Sequence, residues 1–121
     1  MARIIIVDDA LEIRLLLKEL LEKAGHEVVA SASNGKMAYM EYKRHIPDLV
    51  TMDVTMPGTD GIKVAEEIIE EFPDARIVMI SATMQSEIIF NALVNGIIKN
   101  YIIKPISKEK LLDVIDKVLG G

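Results

Sequence analysis

Short runs of apolar, largely β-branched residues recur along this chain, and each is followed by a longer stretch whose apolar residues return with helical period. The runs are RIIIV (3–7), EVVAS (27–31), LVTMD (49–53), RIVMIS (76–81) and YIIK (101–104). Most do not alternate apolar with polar, as a strand with one wet face would, so they read as strands buried on both faces. The intervening segments predict helices over 11–24, from Asn34-Gly35 to about 44, 62–72, 86–95 and 107–119, with Ser107 as the N-cap of the last. In the first helix Leu11, Ile13, Leu16, Leu17, Leu20 and Leu21 form the expected inner face, and Gly25 stops it. Five strand–helix units with short connections imply an open parallel sheet covered by helices on both faces. No glycine-rich GxGxxG turn follows the first strand. The expected architecture is therefore α/β, a flavodoxin-like (βα)5 three-layer sandwich whose sheet has the order 2-1-3-4-5.

Composition bounds what such a sandwich can be. At 121 residues, half of them hydrophobic, the chain suits one domain over 1–121 with its own core. It has no cysteine, which removes disulfides and thiolate metal sites and makes a reducing cytoplasm the natural setting. A net charge of −5 argues against nucleic acid as the main partner. The apolar runs are too short to span a membrane, and Met-Ala-Arg leads straight into the first strand with no room for a signal peptide.

Ligands of doubly wound sheets bind beyond the carboxyl ends of the strands, at the switch point between the first and third. The polar residues gather there. The first strand ends in Asp8 and Asp9, the third in Asp53, the fourth in Ser81 and the fifth in Lys104. Strands one and three are neighbours in this order, so three carboxylates converge, with a hydroxyl and an ammonium opposite. Clustered carboxylates call for a cation, and an all-oxygen set without His or Cys points to Mg²⁺, with Mn²⁺ as a substitute. A carboxylate beside such an ion can attack phosphorus, and Lys104 and Ser81 could meet the developing phosphoryl charge.

On VDD (7–9), the MD of LVTMD (52–53), MPGTDG (56–61), ISA (80–82) and KP (104–105), in this order and each at a strand end, the chain resembles the receiver domain of two-component response regulators. The resemblance covers essentially the whole chain. It implies that Asp53 is the phosphoacceptor, that Asp9 ligates Mg²⁺ directly and Asp8 mostly through water, and that the backbone carbonyl of Thr55 completes the protein ligands. It further implies Ser81 as the switch hydroxyl, Lys104 as the salt-bridge partner of the phosphoryl group, a cis Lys104–Pro105 bond, and Tyr101 as the switch aromatic. The signalling face would be formed by the fourth helix, fifth strand and fifth helix. The implied donor is a histidine kinase, and the implied role is that of a phosphoacceptor signalling protein rather than an enzyme. With no output domain in the sequence, signal would leave through a flagellar motor switch component, as in the chemotaxis branch, or through a histidine phosphotransfer protein in a phosphorelay. VDDA and VTMDVTMP are most similar to the chemotaxis branch.

Two stretches depart from the family pattern. Between Gly96 and Tyr101 the chain carries one residue more than usual, to be absorbed in the loop or by a longer fourth helix. That helix reads IIFNALV (88–94), apolar nearly all round, and suggests a face that binds a partner or a second copy of the chain. Plainer readings also exist: Asp9 with Glu12 as a helix cap, Ser81 as the N-cap of the fourth helix, Lys104 as a solvated cation, and Tyr101 as a core aromatic. His26 and His45 read as isolated surface residues, and Thr83 as a flank of the acidic site. Other functions that the fold allows are a flavodoxin-type FMN carrier, an aspartyl-phosphate phosphatase and a pseudo-receiver that binds partners without phosphorylation. Two carboxylates where FMN phosphate would sit, and no second Asp two residues after Asp9 or Asp53, weigh against the first two.

Overall fold

Five strands, counted along the chain, hydrogen-bond in the order 2-1-3-4-5, all parallel, in a computed structural model that describes residues 2–56, 58–82 and 86–120, without the side chains of Thr55, Thr59 and Ser86. We label the strands β1 (Arg3–Val7), β2 (Glu27–Ala32), β3 (Leu49–Asp53), β4 (Ile77–Ser81) and β5 (Asn100–Ile103). The helices are α1 (Leu11–Lys23), α2 (Gly35–His45), α3 (Gly61–Glu71), α4 (Ser86–Val94) and α5 (Lys108–Gly120). A two-residue antiparallel ladder, Thr55–Met56 against Thr59–Asp60, sits between β3 and α3.

The expected flavodoxin-like sandwich is the observed one. Its central strands are the uniformly apolar ones: β3 and β4 are buried along their whole length and β1 from Ile4 onward, whereas the edge strands β2 and β5 are partly exposed. Side chains alternate between two cores. Ile4, Ile6, Leu49, Val78, Ile80 and Ile102 pack under α1 and α5, and Ile5, Val7, Val50, Met52, Ile77 and Met79 pack under α2, α3 and α4. The register places Val7 beside Met52 and Met52 beside Met79, so the carboxyl ends of β1, β3 and β4 finish level with one another.

Local chemistry sets the boundaries. The Asn34 side chain accepts from Met37 N at 2.9 Å, Asp60 accepts from Ile62 N at 2.9 Å, and Ser107 Oγ accepts from Lys110 N at 3.2 Å, so each opens its helix as a cap. Helix α1 differs from expectation. Leu17 and Leu21 are buried and Ile13 and Leu20 packed, but Leu11 and Leu16 are exposed at 59% and 38%. The helix lies over one edge of the sheet, so only part of its leucine-rich surface meets strands. The fourth helix is likewise two-sided: Ile89 and Ala92 are buried, while Ile88, Phe90 and Val94 face outward.

The extra residue before Tyr101 is taken up in the loop. Helix α4 stops at Val94, Gly96 adopts φ +75°, and the N–H groups of Ile97 and Ile98 both donate to the Ala92 carbonyl. Ile98 then turns into the core and is 2% exposed. The two histidines are half-buried and engaged, contrary to their isolated reading. His26 Nδ1 accepts from Ala2 N at 3.1 Å, and His45 Nε2 lies 3.2 Å from Glu41. Thr83 lies outside the described residues.

Candidate functional site

Asp8 follows β1 directly and is 1% exposed. Its position is held from three sides. Oδ1 accepts from Ala10 N at 2.9 Å, Oδ2 faces Lys104 Nζ at 3.2 Å, and its backbone carbonyl accepts from Arg14 Nη1 at 2.6 Å. Both carboxylate oxygens of Asp8 are therefore engaged. Asp9 is exposed and has no hydrogen-bond partner among the described residues. It is not a helix cap: the N-cap of α1 is Ala10, with no side-chain hydrogen bond. The chain bends at Asp9, whose side chain is exposed.

Asp53 closes β3 at 4% exposure, and its Oδ2 lies 3.6 Å from Lys104 Nζ. Gly61, the first residue of α3, backs this residue closely. A Cβ there would lie 2.5 Å from the Asp53 carbonyl oxygen, so no other residue fits without moving the strand end. Ser81 closes β4 at 1% exposure, and its carbonyl accepts from Lys104 N at 2.8 Å, which ties the ends of β4 and β5 together. Ser81 is the last residue of β4, and the residues immediately before Ser86, with the cap of α4, lie outside the described residues. The Lys104–Pro105 bond is cis.

One carboxylate oxygen from each of Asp8, Asp9 and Asp53 lies within 4.8 Å of the others. The ligand oxygens of an octahedral Mg²⁺ lie about 2.9 Å apart when adjacent and about 4.2 Å when opposite, so this cluster has the size and the all-oxygen chemistry of such a site. The Thr55 backbone lies two residues beyond Asp53, in the small ladder. Among the described residues Lys104 is the cation paired with these carboxylates: its ammonium lies 3.2 Å from Asp8 and 3.6 Å from Asp53, the two buried ones, and does not pair with the exposed Asp9. A buried carboxylate pair is expensive without such a cation.

Tyr101 is not drawn into this cluster. It stands near the start of β5 beside Met79, half-buried, with its ring against the α2–α4 side of the core. Sequence reading did not single out Arg14 or Gly61. Arg14 is six residues from Asp8, a spacing with no periodic meaning, and becomes legible only when α1 folds back over the end of β1. Gly61 stood in a loop already rich in turn residues, where one glycine draws no notice.

The response regulator receiver domain family is matched over residues 4–116. The chain is 47% identical over 118 residues to the chemotaxis protein CheY of Bacillus subtilis, covering 98% of each, and 40% identical over 116 residues to CheY of Thermotoga maritima, covering 96% of each. Among solved structures, a chain of the CheX–CheY–BeF₃–Mg²⁺ complex from Borrelia burgdorferi superposes with a TM-score of 0.91 at 33% identity, over 96% of this chain and 87% of that one. With the fold, the order of the strands and the placement of its acidic residues, this makes the chain a member of the response regulator receiver domain family, of CheY type.

Proposed function

We propose that this receiver is a phosphorylation switch in which Asp53 accepts a phosphoryl group from the phosphohistidine of a histidine kinase. The observation that carries the reading is Lys104 lying between Asp8 and Asp53, at 3.2 and 3.6 Å, beside an acidic cluster of Mg²⁺ size. An Asp53 oxygen attacks phosphorus while the P–N bond to the donor imidazole breaks, leaving an acyl phosphate on the protein. Lys104 is already placed against the acceptor oxygen and pairs with the added phosphoryl charge. The Ser81 hydroxyl donates to a phosphoryl oxygen, drawing the end of β4 inward.

Mg²⁺, when bound, neutralises the repulsion between the carboxylates and the incoming phosphoryl oxygens. Asp9 supports direct ligation, being exposed and without a competing partner among the described residues. Asp8, with both oxygens engaged, supports contact through water, and the Thr55 carbonyl supplies a further oxygen. Movement at Ser81 passes to Tyr101 and to the outward face of α4, whose Ile88, Phe90 and Val94 supply a contact surface for a downstream protein. The names of the relatives favour chemotaxis, with a motor switch component as the target, over a relay.

The test is incubation of the protein with acetyl phosphate and Mg²⁺ followed by intact mass. The expected result is one labile phosphoryl adduct on the unaltered chain and none on Asp53→Asn. No adduct on the unaltered chain, or equal adducts on both, removes the reading.

A further inference from the structure

A second, differently charged site lies at the opposite end of the sheet. The acidic cluster caps the carboxyl ends of the strands, whereas Arg76 precedes β4 and Lys99 precedes β5. The parallel strands separate the two ends by roughly 15 Å. Arg76, Lys99, Asn100, Lys117 and Val118 line a pocket of about 350 Å³ there. Such a volume falls within the range of small-molecule sites.

Its chemistry is one-sided. Arg76 and Lys99 have no ion pair among the described residues. Lys117 has an exposed carboxylate neighbour, Asp113, at 3.1 Å, a solvated pair of little strength. Asn100 commits its Oδ1 to Tyr101 N at 2.8 Å, which leaves the amide NH₂ as its remaining polar group. The pocket thus offers a guanidinium, two ammonium groups and an amide donor. In a chain of net charge −5 this is a local reversal of sign.

The frame is also rigid. The Arg76 carbonyl accepts from Val50 N at 2.9 Å, and Lys99 N donates to the Ile77 carbonyl at 2.8 Å, so the sheet's own ladder fixes both basic residues at Cα. A guanidinium fork beside point-charge ammonium groups matches a compact group with several anionic oxygens.

We propose that this pocket binds a diphosphate group, carried by free pyrophosphate or by a nucleoside diphosphate, independently of phosphorylation at Asp53. The probe is a ¹H–¹⁵N NMR titration of the full chain in EDTA and physiological salt, with pyrophosphate, with ADP and with citrate as a carboxylate control. The expected result is saturable shifts at the amides of Arg76, Lys99, Asn100 and Lys117 with both diphosphates, and much smaller ones with citrate. Arg76→Gln and Lys99→Gln should each weaken binding about tenfold, while the dispersion of their own spectra shows that they remain folded. Equal affinity for pyrophosphate and ADP assigns recognition to the diphosphate alone, and tighter ADP binding adds a contact to the nucleoside. Binding of ADP but not pyrophosphate, non-saturating shifts spread over all basic residues, or affinity unchanged in both variants overturns the proposal.

Discussion

Thr51 lies in the middle of β3 at 0% exposure, between Ile6 and Val78 on the α1–α5 side of the sheet, and its Oγ1 has no hydrogen-bond partner among the described residues. A buried hydroxyl without a partner costs more than the methyl of similar shape that would replace it. Thr51→Val should therefore stabilise the fold by about 1 kcal/mol, read as a higher urea midpoint at unchanged slope; a lower midpoint would show that the hydroxyl does find a partner. Tyr42, also buried, has its phenol pushed above its ordinary value of 10.0 by burial and, secondarily, by repulsion from Asp74, with Arg76 pulling the other way. The folded chain then keeps a proton that the unfolded chain releases, so this contribution to stability is intact below pH 10.0 and falls as pH rises beyond it. Tyr42→Phe should flatten the loss of stability above pH 10.0 and leave stability at neutral pH without a new pH dependence. The half-buried Tyr39, raised chiefly by its hydrogen bond to Glu71, adds to the same alkaline slope, so Tyr39→Phe is the companion measurement. Neither environment can be read from one position in the sequence, because each depends on the elements packed across it.

Helix α2 ends in a way its sequence half announces. Pro47 forbids continuation, and three basic residues, Lys43, Arg44 and His45, complete the last turn. The C-cap, however, is Ile46, held at φ 41° and ψ 70°, a left-handed conformation that a β-branched residue adopts only under strain. A last helical bond and two tertiary ones hold it there: Ile46 N donates to the Tyr42 carbonyl at 2.8 Å, and Arg3 reaches across from β1 to the carbonyls of His45 and Ile46. Half of the Ile46 surface is exposed, so its side chain contributes little burial. Ile46→Asn should raise stability by about 1 kcal/mol in thermal unfolding, whereas Ile46→Val, equally branched, should not. The loop after α4 has the same lesson in another form. One extra residue was visible by counting from Gly96 to Tyr101, but whether the helix or the loop absorbs it depends on Ile98 finding room in the core beneath α4.

For the molecule as a whole, the site couples to stability. Asp8 and Asp53 share the Lys104 ammonium and Asp9 stands beside them, so a divalent cation that binds only the folded chain adds stability by mass action. Mg²⁺ at ten times its dissociation constant should add about 1.4 kcal/mol, or roughly 3–6 °C in Tm. Asp9→Asn should remove that increment and, in EDTA, melt no lower than the unaltered chain, since it relieves repulsion. An Mg²⁺-dependent rise that survives Asp9→Asn would place the ion elsewhere. By itself the sequence determined the alternation of strands and helices, the order of the sheet and the identity of Asp8, Asp9, Asp53, Ser81 and Lys104 as strand-end residues, because apolar period and chain connectivity are local or topological properties. Tertiary structure alone decided which leucines of α1 face the core, that Lys104 bridges the two buried carboxylates, that Arg14 and Gly61 brace them, and that Arg76, Lys99 and Lys117 meet at the far end. Those arrangements depend on distances between elements remote in the chain, and such distances exist only once the two cores have closed around the sheet.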